Sequence, residues 1–170
     1  MIKSCEVLLD GFARVREVVH EVVRDLTPEQ LTWRPDARAN PVGWLVWHLA
    51  RVQDSQLAGV LSVEEVWTSG GWAARFGLPL DVTETGYGQR PSEIASLAFT
   101  STELLTGYLD AVSARTADYL ADVTDADLDH IADESYSPPV TLGTRLVSVL
   151  ADDLQHAGQA AYVVGMVHRR

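Results

Sequence analysis

The sequence predicts an all-α protein: a four-helix bundle with a long crossover between helices two and three, in one domain over residues 1–170. Three observations predict it. Four long segments space their apolar residues by threes and fours, which puts one apolar stripe on a helix. Strand-like alternation is absent apart from brief pieces. Residues 62–91 keep no period and are broken by Gly70-Gly71, Gly77, Pro79, Gly86 and Gly88, so they read as a connection long enough to cross a bundle or cover a site.

Composition narrows the function classes. The net charge is −11, from 13 basic and 24 acidic residues. Nucleic acid and anionic membranes need a basic face, so neither is an expected partner. No apolar run approaches the roughly 20 residues that span a bilayer. Met1-Ile2-Lys3-Ser4-Cys5-Glu6 lacks the apolar core of a signal peptide, and a single cysteine allows no intrachain disulfide; both are expected of a cytoplasmic protein.

The first helix covers residues 3–26, with Cys5, Leu8, Phe12, Val15, Val19, Val22 and Leu26 on its stripe. Cys5 reads there as a small buried hydrophobe, not a nucleophile. Thr27-Pro28-Glu29-Gln30 is a helix start, with Thr27 as cap, Pro28 in the first position and Gln30 closing a capping box. Trp33-Arg34-Pro35 ends that turn. Asn40-Pro41 opens the second long helix, whose inward face is Leu45, His48, Leu49 and Val52.

The connection then carries Trp67, Trp72, Phe76 and Tyr87, enough apolar area to pack down, and a short helical turn near Val63 to Trp67. The third helix is expected from Ser92 to Ala121, turning Ile94, Leu97, Leu104, Leu105, Tyr108, Val112 and Tyr119 inward. Asp122 to Leu128 echoes Asp25 to Leu31, suggesting two related helical hairpins. The fourth helix is expected from Thr141 to Val167.

Chemistry concentrates in Leu150-Ala151-Asp152-Asp153-Leu154-Gln155-His156-Ala157-Gly158-Gln159. Asp152 and His156, four apart, stack one helical turn from each other. With His48 from the second helix they make three metal ligands. That number leaves a position open, as in catalytic zinc sites or the facial triad of non-haem iron. Other readings of the same residues stand. His48 suits a hydrogen-bonded core histidine. Asp152 suits an ion pair with Arg145, seven residues back, or exposure while Asp153 faces something else. Glu17 with His20, and Asp153 with His156, loosely match the pairs of di-iron bundles. His20 lies one position off its stripe, however, and with His130 and His168 is expected at the surface. No glycine-rich phosphate loop follows a strand, and no Ser-His-Asp arrangement stands out.

The run from Asn40 to Asp54, containing Trp44-Leu45-Val46-Trp47-His48-Leu49-Ala50-Arg51, resembles the second helix of DinB-like proteins. His156-Ala157-Gly158-Gln159 resembles the end of their fourth-helix motif. Leu31-Thr32-Trp33-Arg34-Pro35 and Gly86-Tyr87-Gly88 extend the resemblance along essentially the whole chain. It is closest to the DUF664 branch, described as mycothiol S-transferase-like.

The resemblance implies a four-helix bundle, often dimeric, that holds a metal through His48, Asp152 and His156. Zinc is the first expectation, with nickel or iron as alternatives. Many relatives use three histidines; Asp152 departs from that pattern, and is similar instead to mycothiol-dependent maleylpyruvate isomerase, which pairs two histidines with a glutamate. The implied activity is transfer of a low-molecular-weight thiol such as mycothiol to an electrophilic small molecule, in a homodimer. Trp44, Trp47, Arg51, Arg145, Gln159, Trp72 and Tyr87 are the expected substrate contacts, although the tryptophans suit a core or a dimer contact equally. At least one of Trp72, Phe76 or Tyr87 is expected to close the pocket mouth as a lid. The rival readings are a metal-dependent hydrolase and a metal-stabilised dimeric bundle without turnover.

Overall fold

The structure, a computed structural model, describes residues 3–169. Met1, Ile2 and Arg170 lie outside the described residues, and with them the two ends of the expected domain and the start of the segment expected to lack a signal peptide. The long helices are α1 (Ser4–Val22), α3 (Val42–Leu61), α7 (Thr102–Asp122) and α8 (Leu142–Val167). Short helices lie between them: α2 (Pro28–Thr32), α4 (Val66–Ser69), α5 (Trp72–Phe76) and α6 (Pro91–Ile94). None of the described helices is long and apolar enough to cross a membrane.

Local rules account for most boundaries. Cys5, Leu8, Phe12, Val15 and Val19 are the buried stripe of α1. The capping box at Thr27 forms with both of its hydrogen bonds, ahead of Pro28. Ser101 caps α7 and Thr141 caps α8, each accepting from the backbone N–H three residues on.

Side-chain pairs give the helix directions. Gln56 meets Arg145 while His48 meets His156, so α3 and α8 are antiparallel. Ser4 meets Asp125 while Arg16 meets Asp110, so α1 and α7 are antiparallel too. Gly43 abuts Phe99, Gln53 bonds Thr116, and Val60 lies beside Tyr119, so α3 and α7 run parallel. Around the bundle the order is α3, α8, α1, α7. Two parallel neighbours cannot be joined by a tight turn. The chain must climb back along roughly 30 Å, at 1.5 Å per residue of a twenty-residue helix. This is the physical reason for the long connection.

That connection is longer than expected. The third helix starts at Thr102, not Ser92; residues 95–101 break the helical pattern. Ile94, Leu97 and Phe99 are still buried, but as parts of the crossover. Phe99 fits because Gly43 leaves no Cβ in its way. The crossover also changes α3. One inward stripe was expected, yet every residue from Val42 to Arg51 is buried, because the connection covers the face the bundle leaves open, while Val52 is only half-buried. A further addition is a two-stranded antiparallel hairpin, β1 (Ile131–Asp133) with β2 (Val140–Thr141). Arg145 pins it, donating to Asp133 Oδ2 over 2.7 Å.

Asp54 ties α3 to the crossover. Its side chain is fully buried and accepts from the N–H groups of Val66 and Trp67 (2.9 and 2.8 Å) and from the Tyr108 hydroxyl (2.7 Å). Burial, followed by the nearby Asp54 charge, pushes the Tyr108 phenol above its usual pKa.

A different buried carboxyl is unsupported. Asp153 lies on the inward stripe of α8 with Leu146, Val149 and Ala157, at 0% exposure. Neither of its oxygens has a hydrogen-bond partner among the described residues. Burial, and then the Asp152 charge, pushes its pKa well above the carboxylate range. A carboxyl whose pKa is raised by folding costs nothing at a pH below its unfolded pKa. The penalty grows as pH climbs from there toward the folded pKa. Asp153→Asn is therefore expected to be more stable than the parent at pH 7, with the gap closing near pH 4. Urea midpoints at the two pH values check this; a gap that widens on acidification refutes it.

Candidate metal centre

His48 comes from the second turn of α3, and Asp152 and His156 from successive turns of α8. The antiparallel packing of these helices brings them together, with one ligand atom from each lying within 4.8 Å of the other two. Among the described residues this is the one such group of three. His48 is 5% exposed, and its ring meets that of His156 edge-on, with centroids 4.7 Å apart. The Trp44 indole stacks on His48 at 4.5 Å, presents its edge to His156 at 6.2 Å, and donates its N–H to Gln89 Oε1 over 2.8 Å.

Hydrogen bonding sets the tautomers. His48 Nδ1 bonds the Thr85 carbonyl oxygen. A carbonyl only accepts, so Nδ1 carries the proton and Nε2 keeps its lone pair. His156 Nδ1 lies 3.0 Å from Gln159 Oε1, which imposes the same tautomer. His156 Nε2 is then 3.6 Å from Asp152 Oδ1. Asp152 Oδ2 is shut off from solvent and has no hydrogen-bond partner among the described residues. Two imidazole lone pairs and a carboxylate oxygen, with no donor to satisfy them, form a donor set that a divalent cation fits. Burial pushes the His48 pKa below the usual histidine value, the Thr85 hydrogen bond opposing. That favours the neutral ring, the form that ligates.

The alternatives from sequence resolve on this geometry. Arg145 is not the partner of Asp152; it bonds Gln56 Oε1 and Asp133 Oδ2, each at 2.7 Å, about two turns up α8. Nor does Arg145 lie beside the candidate site. Arg51 is 0% exposed and lies among Glu65, Asp54, Tyr108 and the Trp67 ring. Trp47 is a core residue, 1% exposed and packed on Trp67 and Phe99. Trp44 and Gln159 do lie at the centre, as a wall and as the His156 anchor.

On the crossover side it is backbone that covers His48. Gly86 has φ +93°, and a Cβ there would meet His48 Nδ1 at 2.8 Å and the Trp44 and Trp47 rings at 3.0 Å. The chain presses on His48 where no side chain fits. Trp72 instead packs on Tyr108 and Gly107, Phe76 packs on Trp67 and Tyr108, and Tyr87 is 90% exposed. Thr85 and Gln89 escaped sequence reasoning. Thr85 acts through its carbonyl, which every residue has; the neighbouring glycines were the available signal. His20 bonds Asp110 at 2.7 Å and His130 sits 3.6 Å from Asp127, both away from the centre.

An open groove of about 510 Å³ lies beyond Gln159, lined by Arg38, Asn40, Leu45, Gly158, Gln159 and Tyr162 among others. Its size suits a small molecule. Gln159→Leu removes the His156 acceptor, and is expected to weaken metal binding by roughly 10–100-fold, the usual cost of losing such an outer partner. Competition with a chromophoric chelator measures it; parent affinity in the variant refutes the anchoring role.

Comparison with known proteins agrees with this architecture. The sequence matches the family model of the DinB superfamily over residues 12–160. The crystal structure of a conserved protein from Enterococcus faecalis superposes with a TM-score of 0.92, at 31% identity, with 100% of both chains covered. No curated protein matches the sequence significantly.

Proposed function

Because the chain belongs to the DinB superfamily, we propose that it is a metal-dependent enzyme, in which His48, Asp152 and His156 hold a divalent ion and a low-molecular-weight thiol attacks an electrophilic small molecule. One observation carries the reading. Both histidines spend Nδ1–H on oxygen acceptors, leaving two Nε2 lone pairs beside an unpartnered Asp152 oxygen. Zinc is the first choice for this set, with nickel or iron as alternatives, and mycothiol exemplifies the thiol. The bound ion supplies Lewis acidity, which lowers the pKa of a thiol or water at the open position.

The protein's own residues do the rest. Trp44 and Gly86 cover His48 and keep water from that side. Gln159 orients His156 and also lines the groove, so the same residue borders the ligand and the space for substrate. The sulfur forms a bond to the electrophilic carbon, the leaving group departs with the electron pair, and the thiol proton goes to solvent. The proposal also includes a cytoplasmic location and a homodimer; Val147 and Leu154, exposed along one side of α8, support the dimer.

Cobalt-substituted protein tests the chemistry. Added mycothiol is expected to produce a sulfur-to-metal charge-transfer band. No spectral change on adding thiol, together with turnover of an ester or amide, would replace the transferase by a hydrolase.

A further inference from the structure

Arg51 follows His48 by three residues on α3, and its side chain has no exposed surface. Fully buried arginines are rare and come with partners. Its charge is met by Glu65, 2.8 Å from Nη1, and by Asp54 at 3.7 Å. Three more bonds serve no charge balance. Nη1 donates to the Tyr108 hydroxyl over 3.3 Å, Nε to the Glu84 carbonyl over 3.1 Å, and Nη2 to the Val82 carbonyl over 3.4 Å. The next residue, Thr85, gives its carbonyl to His48 Nδ1, and the one after, Gly86, presses on His48. The guanidinium thus grips the crossover one peptide before the group that orients His48. A planar fork with five donors can span two acids and two carbonyls at once; an ammonium cannot.

We propose that Arg51 is a positioning residue of the metal centre. By holding the Val82 and Glu84 carbonyls, it sets the Thr85 carbonyl, which keeps His48 protonated at Nδ1 with Nε2 turned toward Asp152 and His156. This rests on reading those three residues as metal ligands. A merely structural arginine would neutralise Asp54 and Glu65 and leave the His48 tautomer indifferent to its loss.

Two variants test it. Arg51→Lys keeps the charge facing the acids but loses the fork. Gly86→Ala leaves Arg51 and both acids intact, yet pushes the same backbone away from His48. Nitrogen NMR of the metal-free protein reads the histidine tautomers, and chelator competition reads zinc affinity. In both variants the His48 signal is expected to move from the pure Nδ1–H form toward a tautomer mixture. Zinc affinity is expected to fall by about 10–100-fold. His156, anchored by Gln159, should keep its signal and serves as internal control. If Arg51→Lys does not fold, Gly86→Ala decides alone. An unchanged His48 tautomer in the folded variants overturns the proposal, even if the parent binds zinc tightly. A tautomer shift in a parent background that binds no zinc supports the positioning role and sinks the metal reading instead.

Discussion

Replacing His48 or His156 by alanine is expected to remove most of the bound metal, an effect larger than that of any outer-shell change. Either substitution leaves two protein ligands, too few for a stable zinc site. Losing only an outer partner costs roughly 10–100-fold in affinity, so loss of a direct ligand should exceed that range. The two histidines are not equivalent in the fold. His48 is packed between Trp44 and the backbone at Gly86, so His48→Ala also opens a cavity and should lower the unfolding midpoint. His156 is more open, its side chain 17% exposed, and His156→Ala should spare stability more. Asp152→Asn keeps an oxygen but loses the charge, and should weaken binding least of the three. Elemental analysis of untagged protein checks the set. Full metal content in all three variants places the metal elsewhere.

Asp54→Ala is expected to be the most destabilising single substitution, by about 3–5 kcal/mol, the range for breaking a buried charge network from one side. The carboxylate accepts two backbone N–H groups at the start of α4 and the Tyr108 hydroxyl, and lies 3.7 Å from Arg51. All of these lose an acceptor in a place water does not reach. Asp10→Ala is the contrasting control: its pair with Arg14 is solvent-exposed on α1 and should barely register. Urea unfolding of the two variants against the parent decides. A small loss for Asp54→Ala would mean that the crossover is held by its apolar packing and by Arg51 instead.

Some of this was legible in the sequence because it is local. The stripe of α1, the capping box at Thr27 and the pair formed by Asp152 and His156 depend on neighbours within about one turn, and a helix's period fixes them before any packing occurs. The place of His48 beside that pair was legible too, as a polar residue inside an apolar stripe, together with the family resemblance. The chain's periodicity likewise announced four long helices and a crossover, because a segment that loses its period and gathers glycines cannot extend a helix.

Other features belong to the tertiary structure. Periodicity runs through residues 92–121, yet the helix waits until Thr102, because the chain must first lay Phe99 against Gly43. Neighbouring Asp152 and Asp153 look alike in sequence; the rotation of α8 on α1 and α3 turns Asp153 inward and leaves Asp152 beside His156. Arg51 sits so near His48 in the chain that a place in the pocket was the natural reading. Its three-residue step turns it only about 60° from His48, yet its side chain reaches Glu65, Asp54 and two crossover carbonyls instead of Asp152 and His156. The Thr85 carbonyl that fixes His48 has no signature at all, since every residue carries one. Only the parallel packing of α3 and α7, which forces the chain back across the bundle, brings that carbonyl to the ring.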